Sequence, residues 1–103
     1  MLTHTVLFWA KDDLTTAERA DFQAGLRTLL DIPTVSAGWV GTPAATPERS
    51  VVDASYAFAL TLRFPDLAAH DAYQTDPIHD AFHERCAKYW SKVAVYDSDD
   101  VAG

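Results

Sequence analysis

The chain has 103 residues and a mass of 11.3 kDa, so a single domain spanning 1–103 is expected rather than several. Hydrophobic residues make up 49% and charged residues 22%, so neither a disordered nor a membrane-embedded chain is indicated. Eight Lys plus Arg against fifteen Asp plus Glu give a net charge of −7, which repels phosphate backbones and anionic lipid, so neither nucleic acid nor a membrane is an expected partner.

Residues 3 to 9, THTVLFW, alternate His4, Val6 and Phe8 with Thr5, Leu7 and Trp9, a period of two that predicts the first strand. Because Leu7 and Trp9 are apolar as well, neither face suits open water, and the sheet is expected to be covered on both sides. Thr15 and Glu18 have capping-box spacing, and Phe22, Leu26, Leu29 and Leu30 then recur at helical intervals, predicting a helix near 16–30 that Pro33 stops. Residues 34 to 41, TVSAGWVG, read as a shorter strand weakened by Gly38. The segment 42–53 holds Pro43 and Pro47 and little periodicity, so it reads as a loop, either a plain connector or a lid.

Residues 55 to 64, SYAFALTLRF, give the clearest strand, with Tyr56, Phe58, Leu60, Leu62 and Phe64 on one face and Ala57, Ala59, Thr61 and Arg63 on the other. Asp66 caps a short helix through Tyr73. Asp76 and Pro77 form an N-cap and first-turn pair that opens another helix to about Trp90, with Ile78, Phe82, Cys86 and Trp90 in one apolar stripe. A last strand covers 92–97, and the acidic end from Asp97 to Gly103 is expected to fray into solvent. The order β-α-β-β-α-α-β predicts an α+β fold of ferredoxin-like type: a four-stranded antiparallel sheet with helices on one face and a partner needed on the other. At this length one pair of layers buries only about two-thirds of the unfolded surface, so oligomerisation would add stability.

Four histidines stand out in so short a chain. His79 and His83 lie four apart on the helix that starts at Pro77, and with Cys86 they form H-x3-H-x2-C, a spacing compatible with zinc but without a complete ligand set. Cys86 reads more simply as a small core residue, and no metal site is assigned. His79 is the third residue of its helix, where the positive end of the dipole disfavours the imidazolium and leaves a neutral base. Tyr73 lies just before it across the turn QTDP; the two either act on a substrate or simply satisfy one another. His4 shares a face with Val6 and Phe8, either as a satisfied core histidine or as part of a pocket with Tyr73 and His79. The aromatic set that includes Trp9, Phe58 and Phe82 is mostly core, and it also supplies walls for an apolar or aromatic ligand. His70 is expected to be exposed.

No phosphate loop, dinucleotide fingerprint, nucleophile elbow or C-x-x-C pair is present, and cofactor-free acid–base chemistry is what remains. The single cysteine and the lack of a secretory pattern at the start make the cytoplasm the expected location.

HTVLFWAKDDLTTAERADF, then GWVG, FPDLAAHDAYQTDPIHDAF and the closing YWSKVAVYD, resemble the stress-responsive dimeric α/β-barrel family, Dabb, over nearly the whole chain. Its most specific part is Tyr73 to Phe82, together with His4. The resemblance implies that two ferredoxin-like halves pair through their sheets into a homodimeric barrel. The family includes plant stress proteins without established catalysis, olivetolic acid cyclase and a hydroxynitrile lyase. Resemblance to the cyclase implies a catalytic Tyr73 and His79 with His4 in register; where the cyclase has a further pocket histidine on the third strand, this chain has Phe58. The expectation is a cofactor-independent enzyme, polyketide cyclase-like or lyase-like, acting on a small apolar or aromatic carbonyl compound. In it His79 and Tyr73 are catalytic, and His4, Phe58, Trp9 and Phe82 bind substrate. The alternative is a non-catalytic stress-responsive barrel or small-ligand-binding protein. An enzyme site would show Tyr73 and His79 on an apolar cavity of roughly 300 Å³ or more; a structural pair would be packed shut.

Overall fold

The computed structural model describes residues 1–102. Strand β1 (Leu2–Ala10) leads into helix α1 (Thr16–Thr28), followed by β2 (Ala37–Gly41) and β3 (Phe58–Phe64). Helices α2 (Leu67–Gln74) and α3 (Pro77–Cys86) precede β4 (Trp90–Asp99). The sheet order is β2-β3-β1-β4 with every neighbouring pair antiparallel, the ferredoxin-like arrangement expected of this element order.

The local signals act as their chemistry requires. Thr15 and Glu18 close a reciprocal capping box at the start of α1, the Asp66 side chain accepts from the Ala69 amide, and that of Asp76 from the Ile78 amide. Each cap satisfies backbone donors that the first helical turn leaves without partners. Along β1 the side chains of Leu2, His4, Val6 and Phe8 are buried while their neighbours are half-buried, and β3 buries Phe58, Leu60, Leu62 and Phe64 in the same rhythm. These side chains meet Phe22 and Leu26 of α1, Tyr73 of α2, and Phe82 and Cys86 of α3 in one core. Burying a side chain such as Phe22 or Leu26 contributes about 1.5–3 kcal/mol. Helices α1 and α3 cross closely at Gly25, where any Cβ would collide with the Cys86 sulfur. Gly38 allows a similar approach, since a Cβ there would come within 2.6 Å of Leu30 and Leu62.

Among the described residues no helix lies on the other sheet face. Trp39, Thr61, Thr5 and Tyr96 stand in one row across it, and Trp39 and Tyr96 are 60% and 63% exposed. The molecule is correspondingly flat, 39 × 36 × 17 Å, the thin dimension accommodating one sheet and one helical layer.

Several boundaries differ from those read in the sequence. Strand β3 begins at Phe58 rather than residue 55, because the Asp53 carboxylate accepts from the Ser55 amide and hydroxyl and folds the approach into a turn. Strand β2 begins at Ala37 rather than residue 34. Helix α3 ends at Cys86 rather than near Trp90: the chain tightens into a 3-10 turn over Ala87–Tyr89 and enters β4 at Trp90. The acidic end is not frayed over Asp97 to Asp100. Strand β4 pairs with β1 as far as Asp99, and Arg63 holds both carboxylate oxygens of Asp100 at 3.0 and 2.8 Å. Gly103, the end of that segment, lies outside the described residues. His70 is also not free in solvent, for its ring packs 5.6 Å from Phe64 and 5.1 Å from His4.

Candidate functional site

The site begins with the pleat of β1. His4 lies between Leu62 of β3 and Asp97 of β4, on the face turned to the helices, and only 4% of its surface is exposed. A buried imidazole needs a polar partner, and Asp97 provides it: the His4 Nδ1 is 2.5 Å from Asp97 Oδ1. The Asp97 carboxylate accepts from the Nδ1–H, which leaves Nε2 turned away from that pairing.

Above the sheet, α2 ends at Gln74 and α3 begins at Pro77, and this short turn brings Tyr73 and His79 together. Their rings meet edge to face, centroids 5.0 Å apart, and the Tyr73 ring lies 5.7 Å from that of His4. Tyr73 is buried, and desolvation pushes its phenol well above the ordinary value, so the hydroxyl keeps its proton at neutral pH. Burial lowers the His79 pKa from the ordinary imidazole value; Asp80 and Asp76 oppose that shift, and the neighbouring His83 and His4 add to it. His79 is therefore a neutral imidazole at neutral pH, with the lone pair a base requires.

His4, Tyr73, His79 and Phe82 line one pocket of about 160 Å³ between the sheet and helices α2 and α3. Val6, Phe8, Leu60, Trp90, Val93 and Val95 supply most of its apolar wall, and Gln74 and His83 its polar side. Val93 and Val95 are 38% and 50% exposed, which places them at its mouth. The volume falls short of the roughly 300 Å³ expected of an enzyme site, although the Tyr73–His79 pair is not packed shut. It matches the about 150 Å³ of an apolar cavity that takes up benzene, so it accommodates one ring.

Two residues expected at this pocket lie elsewhere. Trp9 has odd parity on β1 and so points to the opposite sheet face from His4; its indole donates to the Ser55 hydroxyl at 2.9 Å, and Lys92 covers its ring. Phe58 faces the helices but sits opposite Phe8, at the far end of β3 from Leu62 and His4, and packs 5.1 Å from Phe22. It borders a separate hollow with Gln23, Arg27 and Val40. The zinc-spaced set does not assemble either, since Cys86 is fully buried against Gly25 while His79 faces the pocket. Burial raises the Cys86 thiol, keeping it protonated. Asp97 and Gln74 are the polar neighbours that the sequence did not single out. Asp97 becomes visible only once β1 and β4 are paired in register.

The family model for the stress responsive A/B barrel domain, Dabb, matches residues 2–100. The chain belongs to the Dabb family. A dimeric ferredoxin-like protein of unknown function from Bacteroides fragilis is similar at 22% identity and a TM-score of 0.76, over 96% of this chain and 95% of that one. A protein of Arabidopsis thaliana is similar at 19% identity and a TM-score of 0.81, over 100% of this chain and 98% of that one. The hydroxynitrile lyase of Passiflora edulis is similar at 19% identity and a TM-score of 0.76, over 94% and 90% of the two chains. No curated protein sequence matches this Dabb chain at a significant level. Likeness at these identities extends to the fold, and chemistry has to be argued from the site.

Proposed function

We propose that this Dabb chain is a cofactor-independent acid–base enzyme, acting as a lyase or a cyclase on a carbonyl compound whose apolar or aromatic part is about the size of one ring. The observation that carries this reading is the meeting of a neutral imidazole and a protonated phenol on the wall of an apolar pocket of about 160 Å³. His79 takes a proton from the carbon next to the carbonyl or from a hydroxyl next to the bond that breaks. In the first case the C–H electron pair moves through the new C=C bond onto the carbonyl oxygen, to which the Tyr73 hydroxyl donates a hydrogen bond; in the second the oxygen pair forms the new carbonyl as the neighbouring C–C bond breaks, and that bond's electron pair leaves with the departing carbon, which takes the proton back from His79. His4, fixed by Asp97, presents its other nitrogen for orienting the substrate, and Phe82 and Trp90 exclude water. The pocket volume favours a lyase step on a single-ring compound over folding of a long polyketide chain.

The same reading places two copies of the chain sheet to sheet, in line with the dimeric description of a ferredoxin-like relative and with the exposed row of Trp39 and Tyr96. The only cysteine is a free buried thiol, which supports a reducing compartment, the cytoplasm. Among the described residues no helix is long and apolar enough to cross a membrane.

A non-catalytic barrel that holds a small apolar ligand is the second reading, favoured by the near-complete burial of Tyr73, 1% exposed. Turnover of single-ring carbonyl and hydroxy-carbonyl compounds by the wild type, His79→Ala and Tyr73→Phe separates the two. For an enzyme, loss of the base lowers kcat/KM by about 10²- to 10⁴-fold, and loss of the phenol hydroxyl by roughly 10²- to 10³-fold. Turnover unaltered by either substitution would remove His79 and Tyr73 from the mechanism. Saturable binding of the same compounds without turnover would establish the second reading.

A further inference from the structure

Beside the pocket, three side chains from three separate elements converge: His4 from β1, His70 from α2 and Asp97 from β4. One potential ligand atom from each lies within 4.8 Å of those of the other two. We infer that this trio is a site for one divalent transition-metal ion of the zinc class, distinct from the Tyr73–His79 pair.

The donor set has the right character. Two imidazoles and one carboxylate suit zinc and similar borderline ions, whereas magnesium prefers an all-oxygen shell. A tetrahedral ion with bonds of about 2.0–2.1 Å holds its ligand atoms roughly 3.3 Å apart. The His4 Nδ1 and Asp97 Oδ1, now 2.5 Å apart, open slightly to reach that spacing, and His70 closes on them. His4 is fixed by its burial, and the ring of His70 already rests edge-on against it at 5.1 Å.

The surroundings of His70 supply a second and independent indication. Its Nδ1 is 3.1 Å from the Asp71 carboxylate, and its Nε2 is 3.3 Å from the Gln74 side-chain nitrogen. An Nδ1 proton donated to Asp71 leaves the Nε2 lone pair free to accept from the Gln74 amide. This is the carboxylate–histidine arrangement that orients a metal-binding imidazole and raises its basicity. Gln74 lies four residues after His70 on an exposed helical surface and gives way when an ion takes its place. Asp97 is 43% exposed in its side chain, so the ion has a path from solvent and water completes its shell.

Zinc and cobalt(II) titrations of the purified protein test the site. The expected result is one equivalent of Zn²⁺ bound per chain, with cobalt(II) giving the visible absorption bands of a four-coordinate site and Mg²⁺ failing to compete. His70→Ala is expected to abolish binding, and Asp97→Asn, at a side chain 43% exposed, to weaken it strongly. Asp71→Ala, which removes only the orienting carboxylate, is expected to weaken it about 10- to 100-fold. His79→Ala and His83→Ala are expected to bind as the wild type does. No binding of either ion by the wild type overturns the site. So does binding that survives His70→Ala, which removes His70 as a ligand, and binding that is lost in His79→Ala or His83→Ala, which places the ion on α3 instead.

Discussion

The His79 imidazole stands edge-on to the Tyr73 ring at a centroid distance of 5.0 Å and an interplanar angle of 79°, at the turn that joins α2 to α3. The turn is built by two caps: the end of one helix supplies the phenol, and the first turn of the next supplies the imidazole. A base and a hydrogen-bond donor therefore reach the same pocket from adjacent positions, and their geometry depends on Asp76 holding the Ile78 amide at 2.8 Å.

The lowered pKa of His79 has consequences for both activity and stability. Its chief cause is burial, so the free imidazole value of about 6.5 marks the upper edge of the affected range. The acid limb of kcat/KM is expected to fall below pH ~6.5, because the base stays neutral to lower pH than a free imidazole. For stability, the unfolded chain binds the proton more readily than the folded one. Stability from this group is thus complete above pH ~6.5 and is lost as the pH falls toward the lowered folded value. Urea unfolding of the wild type and His79→Gln over this range checks the sign: the variant should lose less stability on acidification.

Asp97 is expected to matter to the fold as well as to the pocket. It is the recorded hydrogen-bond partner of His4, which is 4% exposed. Asp97→Ala leaves that imidazole without its acceptor, at a cost of about 1–3 kcal/mol. For a domain of this size each kcal/mol lowers Tm by roughly 4–8 °C. Calorimetry of the variant checks the value, and an unchanged Tm would mean that His4 finds another partner.

The open sheet face is expected to be covered by a second copy. A stable interface buries roughly 1,600 Å² in total, and the row of Trp39, Thr61, Thr5 and Tyr96 lies across the middle of the uncovered face. Sedimentation should give twice the 11.3 kDa chain mass for the wild type, and a monomer for the double variant Trp39→Asp, Tyr96→Asp. A monomeric wild type would leave the exposed aromatic row unexplained.

Much of this architecture was legible in the residues. The alternation of His4, Val6 and Phe8, the Thr15–Glu18 box and the Asp76–Pro77 start are local signals, and each element they predicted is present. Boundaries set by long-range pairing were not local. The length of β4 depends on β1 beside it, and the turn before β3 depends on the Asp53 carboxylate. For the site, Tyr73 and His79 are close in sequence and His4 follows from strand parity. Trp9 was misplaced even though that same parity turns it to the other face. Phe58 was misplaced because position along a strand, unlike face, is invisible until register is known. Asp97 is solvent-accessible as its acidic neighbours predict, but only the assembled sheet and α2 bring it and the less exposed His70 to His4.

The most direct measurement is hydrogen–deuterium exchange at carbon, followed by NMR in D₂O, for single-ring ketones and aldehydes with a hydrogen beside the carbonyl. The wild-type protein is expected to catalyse exchange at that carbon well above the buffer rate, with the excess abolished in His79→Ala and much reduced in Tyr73→Phe. Exchange that continues at the wild-type rate in His79→Ala, or neither exchange nor cleavage of the corresponding hydroxy-carbonyl compounds above the buffer rate, would contradict the assignment of His79 as a catalytic base.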